Sequence, residues 1–173
     1  MESLSEVAQK FVLHWGEMGT RWGINRTVAQ IHALLFLAEH PLDAEEICEV
    51  LGVARSNVSN SLKELQNWGI VKVVHLQGDR RDHFESMKDV YEMFRVIVAE
   101  RKRREIDPTV LTLRTCVAES DEGGMDEYGK ERLKHLLDFF ETTTDFYDQA
   151  NRLPTKAAVK AIKMGDKLLK TFS

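Results

Sequence analysis

The chain of 173 residues has only two cysteines and three prolines. Cys48 and Cys116 stand alone and far apart, so their spacing offers neither a disulfide framework nor a thiolate metal set. Two free thiols in a reducing cytoplasm are the expectation. With so few helix breakers, long uninterrupted helices are allowed. No run approaches the roughly 18 apolar residues that would span a membrane. The opening MESLSEVAQKFVLHWGE lacks a basic start followed by an apolar stretch, so a secretory signal is not expected. A glycine-rich phosphate loop is missing as well. His14, His32, His40, His75, His83 and His135 form no close set with Cys or Glu at metal-ligand spacing. His75 and His83 are within reach of one another across a hairpin but read as surface strand residues. These absences point away from an enzyme, and neither a cofactor nor a metal is expected.

What is present is a chain that is 43% hydrophobic, enough for a real core, with a net charge of -4. The acidic balance opposes nucleic-acid binding only if it is uniform. It is not. Between residues 55 and 81, Arg55, Lys63, Lys72, Arg80 and Arg81 face only Glu64 and Asp79, whereas acids outnumber bases after Glu105.

The stretch from Leu42 to Ser86 organises the rest. Asp43 is a good N-cap for AEEICEVL, and Glu46, three residues on, completes a capping box. Ile47, Val50 and Leu51 form the buried side of this helix. Gly52 follows where a left-handed residue turns the chain, and Val53 fills the angle. The next helix, ARSNVSNSLKELQNW, puts Val58, Leu62 and Leu65 on one stripe. Arg55, Ser56, Asn57, Ser59, Asn60 and Lys63 remain on the other. Ser and Asn are poor helix formers, but they carry donors and acceptors suited to base edges and phosphates. Arg55, Asn57 and Asn60 are the base-edge candidates; Ser56, Ser59 and Lys63 are the phosphate candidates. Gly69 ends the helix. Ile70–Leu76 and Arg81–Ser86 read as strands joined by Gln77–Arg80, and Arg80 and Arg81 at the tip suit a minor groove or its phosphates.

Before this stretch, residues 3–18 read as an amphipathic helix on Leu4, Val7, Phe11 and Trp15, capped by Ser3 or Ser5 and ended by Gly16 and Gly19. Its apolar stripe packs in the core or on a partner chain. Asn25 opens a second helix, which Pro41 stops. After the stretch, a helix begins at Met87, with Val90, Tyr91, Phe94, Ile97 and Val98 on a wide apolar face. The charged run Glu100–Glu105 reads as a solvated face rather than a second DNA contact. Pro108 breaks or kinks the helix, and Thr109–Val117 continues it. Glu119–Glu127 is an acidic loop. Residues 128–151 form another helix on Leu133, Leu136, Leu137, Phe140, Thr144 and Tyr147. Beyond Pro154 a last helix uses Val159, Ile162 and Leu169.

With LGVARSNVSNSLKELQNWGIV followed by GDRRDH, the chain resembles the MarR family of winged-helix regulators. HWGEMGTRWGINRTVAQIHALLFL and the helical tail resemble its GbsR-like branch. The resemblance implies a mainly α fold with a small β-hairpin wing, a winged helix-turn-helix plus a helical dimerisation region. The expected parts are an N-terminal dimerisation helix (1–22), the DNA-binding domain (23–88) and a C-terminal helical dimerisation region (89–173). It implies a cytoplasmic homodimer, expected to be a repressor, on a pseudo-palindromic operator in double-stranded DNA. A winged helix serving only protein–protein interaction is the alternative. Relatives often carry Ser or Thr at the position of Ala54 and Arg at that of Asn60. Phe11, Trp15, Trp22, Tyr91 and Phe94 fall near the expected joint between the two regions, where aromatic faces suit a cationic small-molecule effector; ordinary core and interface packing is the plainer reading.

Overall fold

The computed structural model describes residues 4–171. They divide between Val96 and Ile97 into two units. The first contains helices α1 (Glu6–Arg21), α2 (Arg26–Leu37), α3 (Ala44–Leu51) and α4 (Arg55–Asn67), with strands β1 (Leu42–Asp43), β2 (Val71–His75) and β3 (Asp82–Ser86). Helix α5 (Val90–Arg101) crosses the division, and a π-helical turn, Lys102–Ile106, continues it into α6 (Asp107–Glu119). Helices α7 (Glu127–Asn151) and α8 (Thr155–Thr171) complete the described chain. This is the expected class, mainly α with a small antiparallel wing.

Local chemistry explains most helix starts. Ser5 Oγ accepts from the Ala8 amide at 3.3 Å, so of the two expected caps Ser5 serves; Ser3 lies outside the described residues. Asn25 Oδ1 accepts from the Thr27 amide at 2.8 Å. The end of α1 differs from expectation. Gly16 and Gly19 do not stop the helix; both are buried inside it, and it runs on to Arg21. Their role is close approach. A Cβ on Gly19 would lie 2.6 Å from Ala29 Cβ, and one on Gly16 would lie 2.6 Å from Gln30 Cγ. Missing side chains thus let α2 pack against the backbone of α1, a reason for glycine that depends on the partner helix. The chain leaves α1 at Gly23, whose φ is 73°. Val12 joins the core of the first unit, whereas Val7 and Leu13 stay exposed.

Ile31 and Leu35 of α2, Ile47 of α3, Val58, Leu62 and Leu65 of α4, and Ile70 form that core. His32 is buried with them, and its Nε2 makes no hydrogen bond among the described residues. Burial pushes its pKa from 6.5 down to about 4, so the ring is neutral near pH 7.

The wing contains one strand more than expected. β3 lies between β1 and β2, all antiparallel, with Phe84 opposite both Leu42 and Val73. A two-residue strand has no readable period, so β1 left no sequence signal. Its pairing closes one edge of the hairpin against the start of α3.

Helix α5 starts at Val90 rather than Met87, because Asp89 Oδ1 accepts from the amides of Tyr91 and Glu92 at 2.9 and 3.0 Å. The residues just before it are committed elsewhere. The Met87 amide bonds Ile70 O at 2.8 Å, and Lys88 Nζ reaches the C-terminal carbonyls of α2, including Ala38 O at 2.9 Å. Along α5, Met93 is buried, while Val90, Tyr91 and Phe94 of the expected apolar face remain exposed. Pro108 does not break the helix. The ring removes an amide and crowds the preceding turn; the wider π-turn absorbs this, with the Asp107 amide bonding Lys102 O five residues back.

In the second unit, α6 packs on α7, with Arg114 Nε 2.7 Å from Glu141 Oε1. Lys102 bridges Asp107 at 2.9 Å and Asp148 at 3.4 Å. Arg101 with Glu105 and Arg103 with Glu100 form ion pairs along the charged run. Leu133, Leu137, Phe140, Thr144 and Tyr147 form a half-buried stripe, whereas Leu136 is exposed beside Phe139 and Phe146. Val159 of α8 is half-buried; the side chains of Ile162 and Leu169 lie outside those described.

Candidate nucleic-acid interface

The helix-turn-helix is α3, a left-handed Gly52 (φ 62°) and α4. Helix α4 starts from Ala54, whose extended backbone suits a cap but whose methyl group accepts no hydrogen bond. Val58, Ser61, Leu62 and Leu65 point inward. Arg55, Ser56, Asn57, Asn60 and Lys63 are exposed and Ser59 is half-buried. The helix therefore spends its polar, weakly helix-forming residues on solvent, as expected.

Two cavities flank α4. One of about 410 Å³ lies among α4, the start of α3 and the wing, and its lining includes Asp43, Glu45, Arg55, Ser59, Lys63 and Arg81. The tertiary structure thus brings helix and wing candidates to one groove. Glu45 lies 3.9 Å from Arg55, both well exposed, a weakly held pair in solvent. The other cavity, about 210 Å³, is lined by Asn57, Asn60 and Glu64 of α4 and by Asn25 and Thr27 at the start of α2. Asn25 and Thr27 were not among the sequence candidates; nothing local marks them except the cap they form. Ser56 and Arg80 line neither cavity and project from the surface.

At the wing tip Gly78 has φ 84°. The next residue, Asp79, accepts at Oδ1 from the Arg81 amide at 2.9 Å and from Arg81 Nε at 3.0 Å. The guanidinium holds the Asp79 carboxyl well below the usual carboxylate range, and Asp79 in turn raises the Arg81 pKa. Arg81 Nη1 also donates to Asp43 Oδ2, a carboxylate only 3% exposed. Asp43 Oδ1 accepts from the Glu45 and Glu46 amides at 2.7 and 2.9 Å, while Glu46 Oε2 accepts from the Asp43 amide at 2.8 Å. The expected capping box is present, and it holds a wing arginine as well. Arg81 is thus a fixed side chain, with more than half of its surface still exposed; Arg80 beside it is exposed.

His83 corrects the expectation of a surface residue. It is 4% exposed, and its Nδ1 lies 3.1 Å from Arg81 O. His83 and Phe84 are both buried in β3, where β1 pairs alongside, while His75 stays exposed near Asp82. Asp43, Glu46 and His83 each bring one ligating atom within 4.8 Å of the others. This set was invisible to spacing along the chain because β1–β3 pairing assembles it. Asp43 and Glu46 are already spent on the capping box and on Arg81, which supplies the local positive charge.

Of the aromatic effector candidates, Phe11 and Trp15 stack with centroids 5.4 Å apart, and Trp15 lies 6.3 Å from the His32 ring. Trp22, Tyr91 and Phe94 are exposed. None of the five lines the two cavities beside α4.

The profile of the MarR family matches residues 22–82. The matched segment carries all eight candidates for DNA contact, from Arg55 to Arg81. Over 136 residues the chain is 24% identical to the HTH-type transcriptional repressor GbsR of Bacillus subtilis (strain 168), covering 76% of this chain and 75% of that protein. The HTH-type transcriptional repressor OpcR of the same strain is 20% identical, at 76% and 74% coverage. A crystal structure of a transcriptional regulator superposes with a TM-score of 0.63 at 18% identity, over 84% of this chain and 95% of that one. This likeness is one of fold and reaches beyond the matched segment. No helix among the described residues is long and apolar enough to cross a membrane.

Proposed function

We propose that the chain is a sequence-specific DNA-binding transcriptional regulator, a repressor acting as a homodimer on a pseudo-palindromic operator. The observation that carries this reading is the groove shared by α4 and the wing, where Arg55, Ser59, Lys63 and Arg81 converge. In it, α4 enters the major groove, with Arg55 suited to guanine and Asn57 and Asn60 to adenine. Ser56, Ser59 and Lys63 hold phosphates, and the tip, Arg80 with Arg81, lies along the minor groove. The expectation of repression follows the names of GbsR and OpcR.

A homodimer suits the exposed apolar side chains. In the second unit these include Leu111, Phe139 and Phe146, each more than half exposed; in the first, Val7 and Phe94. Two copies would set their α4 helices about 34 Å apart to meet successive major grooves. The finer reading includes an effector held by Phe11, Trp15, Trp22, Tyr91 and Phe94. A thermal-shift screen with choline, glycine betaine and aromatic acids tests it: stabilisation by one compound supports it, and a flat response to all removes it.

The experiment for DNA binding is a gel-shift titration on the DNA flanking the gene, at rising salt. The expected result is a selective shift that weakens steeply with salt and is lost in the Arg80→Ala/Arg81→Ala double variant. Absence of any selective, salt-sensitive shift refutes the reading.

A further inference from the structure

We propose that Asp43 is a positioning residue for DNA binding, fixing Arg81 and the wing relative to the helix-turn-helix through a single buried carboxylate. The inference rests on the DNA-binding reading above and assigns a role within that interface to a residue that DNA does not touch.

The geometry divides the carboxylate between two tasks. Oδ1 accepts the first free amides of α3, from Glu45 and Glu46. Oδ2 accepts from Arg81 Nη1, 38 residues away in sequence. The backbone of Asp43 belongs to β1 and pairs with His83 of β3, so the same residue ties the wing strand by register and the wing arginine by charge. Asp79 holds the guanidinium from the other side through Nε. An arginine has several rotatable bonds, and freezing them on binding costs affinity. Two carboxylates arrest the side chain beforehand while 56% of its surface stays exposed. A charge-assisted bond to a buried acceptor is also much less screened by salt than a surface pair. Asp43 therefore sets where Arg81 points, while α3, starting at the next residue, leads into α4 through Gly52.

The test uses the full chain and a duplex selected with it from a randomised library. Failure of the wild type to select any duplex defeats the DNA-binding reading itself, which keeps the two ideas separable. Asp43→Asn retains an oxygen to cap α3 but points an amide donor at the guanidinium. Arg81→Lys leaves α3 untouched and keeps the charge, but a single ammonium cannot span both carboxylates. If Asp43 acts through Arg81, each variant weakens binding by roughly tenfold, on the scale of one lost DNA contact. The Asp43→Asn/Arg81→Ala double variant then binds no more weakly than Arg81→Ala alone, because the two changes disable one device. Binding by Arg81→Lys or Asp43→Asn at the wild-type level overturns the proposal. So does additivity of the Asp43 and Arg81 substitutions. Circular dichroism melts run alongside; should Asp43→Asn fail to fold, Arg81→Lys alone decides.

Discussion

The contact between α1 and α2 lends itself to a paired substitution, Gly19→Ala against Gly16→Ala. Both glycines are buried mid-helix, so each gains about 1 kcal/mol of helix propensity when alanine replaces it. Each new Cβ also meets a neighbour at 2.6 Å, well inside the roughly 3.5–4.0 Å at which carbon atoms pack best. The neighbours differ. Gly16 faces Cγ of Gln30, a half-buried side chain that can rotate aside. Gly19 faces the Cβ of Ala29, which is attached directly to the α2 backbone and is itself 5% exposed. Only movement of one helix by about 1 Å relieves that overlap, and overpacking of this kind costs about 1–3 kcal/mol. Gly16→Ala should therefore be neutral or up to about 1 kcal/mol more stable. Gly19→Ala should be less stable than wild type by about 1 kcal/mol, a fall in Tm of roughly 2–4 °C for a chain of this size. Comparing the variants cancels the propensity gain and isolates the packing. Urea denaturation with a common m-value measures it. A Gly19→Ala protein as stable as Gly16→Ala would refute the idea that α2 needs a bare backbone at Gly19.

Two further expectations concern single groups. His32 has its pKa lowered from 6.5 to about 4 by burial, so the unfolded chain binds the proton more tightly. The stabilising contribution is complete above pH 6.5 and is lost as pH falls toward 4, by roughly 3 kcal/mol at most; His32→Leu should flatten that part of the acid-denaturation curve, and an unchanged curve would contradict the burial argument. Ala54 starts α4 without a side-chain cap, so Ala54→Ser should raise stability by about 1 kcal/mol in a thermal melt, while a loss would mean that the local geometry does not admit the cap.

Residues whose roles are settled within one turn of the chain were legible in the sequence. Asp43 and Glu46 make the capping box they spell, Asn25 caps α2, and Gly52 takes the left-handed conformation between two helices. The stripe of Val58, Leu62 and Leu65 separates the buried side of α4 from its polar side, because a period of 3.6 is written into the chain itself. Other residues depended on what folding brings beside them. Gly16 and Gly19 looked like stops and are sites of helix contact, since only α2 makes the absence of a side chain necessary. Pro108 looked like a break or a kink, and a π-turn carries the helix past it without a break. His83 looked exposed and lies under the wing, because the two-residue strand β1 covers that edge. Arg81 was read as a tip charge; the fold places it on Asp43 and Asp79. Sequence by itself determined the helical segments, the caps at Asn25 and Asp43 and the polar face of α4, all products of short-range hydrogen bonding and periodic burial. Tertiary structure alone decided which helices touch without side chains between them and where the wing arginine is held, because those depend on atoms far apart in the chain that meet only when it is folded.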